Sequence, residues 1–431
     1  MIAATPTYAL PHSGNIVRAT LDNGVTILVY ENFAAQSVVF TGSLRAGAAY
    51  DVPDKSGLSS LVASAVMRGT TKRDFLGIHA ALEDIGADVS VYAGGQRANF
   101  GGKSLAEDLP TLIDVLADVL RQPTFPAAQV ERLRGEVLTG LQIRQQDTRY
   151  RANRLFSETL YPEGHPYHYS SRGTVETVKA LSLDDIAAFH AAHYGPDAMH
   201  IVIVGAVKAA DAINIVRDAF ADWRNPNQPS TPPVPEPAPT AETRRASVAL
   251  AGKTQSDIVM GTVGPSRYSP DYQAATLANS VMGQFGMMGR IGASVREDLG
   301  LAYYAYSAIE GGTGRGPWSI SAGVNPKNVN LAIDRITDEV RRLVETPVTP
   351  DELSDNQSYY IGHLPLQLES NEGVAGTIHN MQVYDLGLDY LLHYRDIIAA
   401  LTIDDLQLAA RHYFNPDALV IAVAGPAENG V

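Results

Sequence analysis

Among the side chains that could carry out chemistry, the patterns of histidine, arginine and tyrosine are the most informative in this chain, which contains no cysteine. That absence removes disulfides, thiolate nucleophiles and cysteine-ligated zinc sites. Two close histidine pairs, His165 with His168 and His190 with His193, have spacings that metal ligands can use. Proline, glycine and apolar residues surround both pairs, and no carboxylate stands at a matching spacing. We interpret all four as surface or hydrogen-bonded structural histidines and predict no metal site there.

A second candidate is the stretch REDLGLAY, which places Arg296 and Tyr303 seven residues apart. A guanidinium and a phenol held in fixed positions can donate hydrogen bonds to an oxyanion that forms during acyl transfer. The alternative is structural. Arg296 could pair with the acidic residues beside it on a helix surface, and Tyr303 could begin a half-buried strand that also contains Tyr304 and Tyr306. Spacing alone does not separate these interpretations.

The elements that must position these residues belong to a chain of 431 residues, which is more than one hydrophobic core usually organises. The net charge of -14 argues against a surface for nucleic acid or anionic membranes. No apolar run is long enough to span a membrane. The first residues lack the basic start and apolar core of a secretory signal. We therefore expect a cytoplasmic protein, and a periplasmic one stays open if a signal peptide has been removed.

A proline-rich segment divides the chain almost at its midpoint. Seven of the sixteen residues in 225–240 are proline, so this segment lacks backbone donors and resists helix formation. We predict a stiff, extended linker there, between an N-terminal half at 1–224 and a C-terminal half at 241–431.

The two halves end in similar sequences, which indicates an internal duplication. Leu181–Gly205 aligns with Leu401–Gly425 without a gap, and eight of the 25 positions are identical. Each copy begins with a candidate helix N-cap, Ser182 or Thr402, and continues as a helix. A Pro-Asp turn and an apolar run typical of a buried strand follow.

The remaining patterns favour an α+β fold. Strand candidates occur beside each other and helices occur in runs, rather than in strict alternation. We predict two homologous halves, each an antiparallel-rich sheet covered by helices. The predicted helices include 56–68, 74–86, 105–121, 126–147, 182–193, 270–283, 326–345 and 350–362.

Three stretches in this order resemble the M16 peptidase family: GLSSLVASAVMRGT at 57–70, ALEDIGADVSVYAGGQRANF after it, and VREDLGLAYYAYS in the second half. That family includes insulin-degrading enzyme, the mitochondrial processing peptidases and the core proteins of the respiratory bc1 complex. The resemblance extends from about Val25 to Gly425. It implies two duplicated halves joined by the linker in a clamshell-like arrangement.

The resemblance also locates a zinc motif that this chain has lost. Active members carry His-x-x-Glu-His on the first long helix, where two histidines one turn apart hold zinc and the glutamate acts as general base. Here these positions are Ser60, Ala63 and Ser64. The third ligand should fall in EVLTGLQ, where this chain has Thr139 and Gly140. Serine hydroxyls are poor zinc ligands and alanine accepts no proton, so we predict no catalytic residue and no bound zinc in this chain.

In the same family an Arg/Tyr pair at the spacing of Arg296 and Tyr303 contacts the substrate near the zinc. Bacterial two-gene members place His-x-x-Glu-His in one chain and the Arg/Tyr pair in its partner. The resemblance therefore implies a non-catalytic subunit that binds peptide substrates and is inactive alone, as part of a zinc metalloendopeptidase complex. It implies a partner subunit that bears His-x-x-Glu-His and the zinc, and neither nucleic acid nor a membrane span.

Two other interpretations stay open at this point. The chain could be a scaffold or a peptide-binding protein like the bc1 core proteins, or a peptidase that uses other residues. The role of the glycine- and methionine-rich loop Gly283–Gly289 is also open. A longer glycine-rich loop at this place helps the non-catalytic processing-peptidase subunit to recognise substrate.

Overall fold

The structure, a computed structural model, describes residues 10–284 and 289–427. The first half contributes these strands: β1 (Ile16–Thr20), β2 (Thr26–Glu31), β3 (Ser37–Leu44), β4 (Asp88–Ala93), β5 (Ala98–Leu105) and β6 (His200–Gly205). Its helices are α1 (Leu58–Ala65), α2 (Phe75–Glu83), α3 (Leu109–Arg121), α4 (Ala127–Gln145), α5 (Thr148–Leu160), α6 (Val175–Ala180), α7 (Leu183–His193) and α8 (Ala209–Phe220).

The second half repeats this pattern. Its strands are β7 (Arg244–Ala249), β8 (Ser256–Val263), β9 (Ala302–Ile309), β10 (Pro317–Val324) and β11 (Val420–Gly425). Its helices are α9 (Tyr272–Met282), α10 (Val329–Glu345), α11 (Pro350–Gln367), α12 (Asn371–Val383), α13 (Tyr390–Ala399) and α14 (Ile403–Tyr413), with a π-helical segment at Gly292–Asp298.

The strand orders of the two sheets establish that the halves are homologous in structure. The first sheet runs β1-β2-β6-β3-β5-β4 and the second runs β7-β11-β8-β10-β9. When β1 is set aside, the two orders correspond strand for strand. Each sheet contains one parallel pair, β2 with β6 and β7 with β11, and its other pairs are antiparallel. The predicted α+β fold with two antiparallel-rich halves is confirmed.

The repeated sequence folds in the same way in both copies. The side chains of Ser182 and Thr402 each accept a hydrogen bond from the backbone N–H of the aspartate three residues later. The carboxylate of that aspartate accepts from the backbone N–H of Ser182 or Thr402 in turn. These capping boxes begin α7 and α14. The apolar runs that follow form β6 and β11, which lie inside their sheets and are almost wholly buried.

The halves are fastened together by an exchange of helices. α5 belongs to the first half but packs on the second sheet, where Phe156 and Leu160 join a core with Val259 and Ala422. In reciprocal fashion α12 packs on the first sheet, where Ile378 joins a core with residues of β2, β3 and β6. α5 and α12 follow the equivalent long helices α4 and α11, so the exchange obeys the internal repeat. Each sheet therefore buries one face under a helix of the other half.

The proline-rich segment contains neither helix nor strand from residue 228 to residue 240. It is nevertheless attached to the first half, because the carbonyl of Pro235 lies 3.1 Å from Nε2 of His165. The domain limits 1–224, 225–240 and 241–431 stay a prediction. Within residues 10–284 and 289–427, none of the helices combines the length and the apolar character needed to cross a membrane.

A buried polar contact at the exchanged helix α12 makes the stability sensitive to pH. Nε2 of His379 lies 2.8 Å from the Ser43 hydroxyl, to which Nε of Arg97 also donates at 2.6 Å. Burial and then the nearby charge of Arg97 lower the pKa of His379 to about 4, against an ordinary value of 6.5. On acidification, His379 is protonated in the unfolded chain before it is protonated in the folded one. Its contribution to the free energy of unfolding is therefore complete above pH 6.5 and is lost as the pH falls towards 4.

We expect this group to remove roughly 2–3 kcal/mol from the free energy of unfolding between about pH 7 and pH 4.5. The measurement is urea unfolding of the wild type and of His379→Gln at both pH values. The glutamine variant should lose less stability on acidification than the wild type. An equal loss in both proteins would contradict the assignment.

Candidate functional site

The stretch REDLGLAY forms the end of a helix, a tight turn and the start of a strand. Arg296 lies in the π-helical segment and Tyr303 lies near the start of β9. Gly300 closes the turn at φ +59°: its N–H donates to the Arg296 carbonyl, and the N–H of Leu301 donates to the Val295 carbonyl, each at 3.0 Å. The bond from Gly300 to the carbonyl four residues earlier is that of an αL C-cap, and a side chain at such a φ would strain the backbone.

A β-bulge directs Tyr303 away from the sheet. Tyr304 pairs with Gly323 and Ala302 pairs with Val324, so no residue of β10 stands opposite Tyr303. β9 is the edge strand of its sheet, and the Tyr303 side chain is 82% exposed. Bulges at sheet edges re-aim side chains and are frequent beside functional sites.

Neither side chain of the pair is engaged elsewhere in the described part of the chain. The Arg296 guanidinium and the Tyr303 hydroxyl take part in no hydrogen bond or ion pair there. Arg296 is half-buried against its helix, and Tyr303 is exposed rather than half-buried. The structural alternative for Arg296, an ion pair with neighbouring acidic residues, is therefore not formed among these residues.

The neighbouring Tyr304 is held by a buried network that sequence reasoning missed. Its hydroxyl donates to the Asp257 carboxylate, and the Thr148 hydroxyl donates to the other oxygen of the same group. The Arg149 guanidinium lies 3.9 Å from the centre of the Tyr304 ring, as in a cation–π contact. Burial, followed by the hydrogen bond to Asp257, raises the pKa of Tyr304. Because Thr148 and Arg149 begin α5, the first half holds β9 next to Tyr303.

Asp257→Asn should test how much this network contributes. Asp257 is only 1% exposed, and an amide there would replace one of its two accepting oxygens by a donor that faces one of the two hydroxyl donors. We expect the free energy of unfolding to fall by about 1–3 kcal/mol, measured by urea unfolding. Asp88→Asn, at an exposed position of β4, is the matched control. A variant as stable as the control would mean that the network does not hold the strand.

The positions of the lost zinc motif lie on α1. Ala63 is fully buried, whereas Ser60 and Ser64 are half-buried. The Ser64 hydroxyl donates to the Ser60 carbonyl at 3.1 Å, so it is already used by its own helix. Asp51 anchors the start of α1 by accepting from the backbone N–H groups of residues 57 and 59, each at 2.9 Å. Burial raises the pKa of Asp51 to about 6, although these hydrogen bonds act to lower it.

The expected third-ligand positions lie on α4, which packs against α1. The Thr139 hydroxyl donates to the Gly135 carbonyl at 2.9 Å, and Gly140 has no side chain to offer. The fold thus brings the two helices of the motif together with residues that do not fit zinc. Throughout residues 10–284 and 289–427, no group of three or more histidine, aspartate or glutamate side chains could hold a metal ion.

The close histidine pairs point to backbone atoms rather than to a shared ligand. The ring nitrogens lie beside carbonyl oxygens: His165 beside Pro235 at 3.1 Å, His168 beside Tyr161 at 2.9 Å and His190 beside Leu120 at 2.9 Å. Burial lowers the pKa of His190 to about 4, because the charged form would be desolvated. The His193 ring packs on Phe189 at 4.3 Å between ring centres.

The loop Gly283–Gly289 is described only at its ends, since residues 285–288 lie outside the described residues. Both ends have positive φ, +149° at Gly283 and +124° at Gly289. A Cβ on Gly289 would lie 2.6 Å from the Gly283 Cα, so the two ends meet closely. The role of this loop stays open.

Comparison with known proteins covers nearly the whole chain. Residues 28–166 match the family model described as insulinase (peptidase family M16), and residues 180–359 match the model described as peptidase M16 inactive domain. An uncharacterized zinc protease of Streptomyces coelicolor is 27% identical over 407 residues, which cover 92% of this chain and 87% of the relative.

Solved structures give the same picture. The crystal structure of a peptidase M16 inactive domain from Pseudomonas fluorescens superposes with a TM-score of 0.88 at 25% identity, and covers 96% of this chain and 98% of that one. A protease from Helicobacter pylori superposes with a TM-score of 0.89 at 19% identity, over 97% and 100% of the two chains. At that identity the second likeness concerns the fold alone.

Proposed function

Because the chain belongs to the M16 peptidase family, we propose that it is the non-catalytic, substrate-binding subunit of a heterodimeric zinc metallopeptidase. One contrast carries this proposal. Arg296 and Tyr303 are presented on a helix end and a bulge with no partner in the described residues, whereas the zinc-motif positions hold Ser60, Ala63 and Ser64.

The chemistry of the pair suits peptide cleavage. When a peptide carbonyl is attacked, negative charge develops on its oxygen, and fixed donors lower the energy of that state. In the complex, Arg296 supplies a permanent cation and Tyr303 supplies a neutral donor for the substrate carbonyl and backbone. Zinc and the general base come from the partner subunit, since this chain offers neither.

The partner must be a different chain. A second copy of this protein would bring the same serines and alanine to the motif positions, so a homodimer would have no zinc motif of this type at all. The partner is expected to bear His-x-x-Glu-His, and a neighbouring gene of similar length is the first place to look for it.

Reconstitution tests the proposal. The purified chain is assayed with a quenched-fluorescence peptide alone, and then mixed in equal amounts with a His-x-x-Glu-His relative from the same genome. We expect no cleavage by this chain alone and a clear gain of activity in the mixture over the partner alone. If the two chains associate and the mixture gains nothing, the scaffold interpretation replaces this one.

A further inference from the structure

A cleft follows the junction of the two halves, where the β4–β5 and β9–β10 hairpin tips meet. Its largest section has a volume of about 590 Å³. Adjoining sections of about 340 Å³ and 380 Å³ share lining residues with it, including Gly311, Gly312 and Tyr167. Each section falls in the size range of ligand sites in proteins. The sections therefore form one continuous groove rather than three separate pits.

The charge of this groove is opposite to that of the chain. The chain carries 47 acidic and 33 basic residues. Among the described residues, the charged side chains that line the groove are nevertheless five arginines and one carboxylate, Glu310. The arginines come from different elements: Arg97, Arg144, Arg154, Arg172 and Arg267. A concave surface lined by one sign of charge concentrates ligands of the opposite sign.

Two of these arginines, Arg144 and Arg172, have no carboxylate partner among the described residues, although the Arg144 guanidinium lies 5.8 Å from the centre of the Tyr150 ring. Arg154 is paired with Glu158 at 2.7 Å, and Arg267 lies 4.3 Å from the centre of the Tyr272 ring. Arg144 and Arg172, in contrast, are exposed and meet no carboxylate among the described residues. They lie in the largest section of the groove, on α4 and on the loop after α5.

The rest of the lining suits an extended chain rather than a compact ion. Tyrosines recur along the groove, as Tyr150, Tyr167 and Tyr169 in the first section and Tyr384 and Tyr390 farther along. They offer flat apolar faces together with hydroxyl groups that can donate to a peptide backbone. The hairpin tips in the lining are rich in glycine, so a bound chain can approach the backbone closely, although the carbonyls of Gly94, Gly95 and Gly312 already accept hydrogen bonds within the chain. At Gly95, a Cβ would meet no atom within 4 Å.

We propose that this groove binds an acidic, extended segment of a peptide. The identification of the ligand as a peptide rests on the proposed function, whereas its acidic character rests on the lining charges. The hairpin-tip end of the groove is separate from Arg296 and Tyr303, because the β9–β10 tip lies roughly 20 Å along β9 from Tyr303. The Arg/Tyr pair would act at the scissile bond, and the groove would select which peptides are held.

The test uses the full chain alone, with no partner. Fluorescein-labelled peptides of alternating glutamate and alanine are titrated by fluorescence anisotropy, beside matched peptides in which glutamine or lysine replaces glutamate. The acidic peptide should bind at least about tenfold more tightly than either match. Raising the salt from about 0.05 M to about 0.5 M should weaken its binding several-fold.

Variants locate the site. Arg144→Gln with Arg172→Gln should weaken binding of the acidic peptide by about tenfold. The control pair Arg244→Gln with Lys179→Gln removes the same charge from exposed positions outside the groove, and should leave binding unchanged. Far-UV circular dichroism establishes that both pairs fold.

Equal binding of the acidic, neutral and basic peptides would overturn the proposal, and so would equal weakening by the two pairs of variants. These outcomes do not depend on cleavage. A chain that binds acidic peptides but does not activate a partner would retain the groove and lose the proposed function. A chain that activates a partner but does not discriminate between peptides by charge would retain the proposed function and lose the acidic groove.

Discussion

Arg296→Ala is expected to lower kcat for peptide cleavage by the reconstituted complex by about 100-fold or more, and Tyr303→Phe by about 10- to 100-fold. The reason is that both side chains would donate to charge that develops only in the transition state, so kcat should fall more than KM rises. The measurement is steady-state cleavage of a quenched peptide at saturating partner. Because neither side chain has a partner within the described residues, each variant should retain its stability to about 0.5 kcal/mol.

Matched controls exist in the same half of the chain. Arg244→Ala and Tyr268→Phe change exposed residues of the same types, and should leave kcat and KM unchanged. If Arg296→Ala and Tyr303→Phe behaved like these controls in a complex that still forms, the pair would have no part in catalysis and the scaffold interpretation would be favoured.

The second large effect is on stability. Phe156→Ala should lower the free energy of unfolding by about 3–5 kcal/mol, because Phe156 is only 2% exposed and a cavity would remain between α5 and the second sheet. Since α5 belongs to the first half and its core to the second, the loss should appear in the unfolding of the whole chain. The measurement is urea unfolding followed by tryptophan fluorescence and by circular dichroism, which report on different parts of the molecule.

Ile378→Ala is the counterpart in α12, where the side chain is fully buried on the first sheet. It should cost about 2–5 kcal/mol and shift the same transition. Leu366→Ala, on the exposed surface of α11, should change stability little. Two separate transitions, with only one of them shifted by each variant, would contradict the exchange of helices as the fastening between the halves.

The features that depend on local sequence could be predicted. The capping residues Ser182 and Thr402 and the apolar runs after them determined both copies of the repeat, whose helices and strands lie at the expected positions. The helices α5, α6, α8, α12 and α13 were not among those predicted. The strand order follows from the duplication once one half is known. The helix predicted at 350–362 continues in the structure to Gln367, because Pro365 is accommodated inside it rather than ending it.

The exchange of α5 and α12 could not be predicted in the same way. The sequence of α5 contains three arginines, Arg149, Arg151 and Arg154, and its apolar residues do not reveal which sheet they cover. Its buried residues join a core with Leu250, Val259 and residues of β11, which lie far away in the chain. Burial of this kind depends on tertiary packing, which overrides local pattern.

For the candidate site, the sequence indicated the residue pair but not its support. The helix that contains Arg296 ends at Gly300, before the strand that contains Tyr303. A glycine at this place in the sequence predicts such a helix end. The bulge that exposes Tyr303 depends on the register with β10, and nothing in REDLGLAY specifies it. Only Asp257 indicated the network in the sequence, and only weakly. An acidic residue inside an otherwise apolar strand is expected to need hydrogen-bond donors around its carboxylate.

The most direct test of the central claim places a photo-crosslinking amino acid, p-benzoylphenylalanine, at position 303 in the complex. The partner carries glutamine in place of the glutamate of its His-x-x-Glu-His motif, so that a labelled peptide binds without being cut. Upon irradiation we expect a covalent adduct between this chain and the peptide that requires the partner, and none from the same substitution at Leu76, an exposed position on α2 outside the groove. Labelling that is absent at position 303, or equal at both positions, would contradict the claim that this subunit completes the partner's active site.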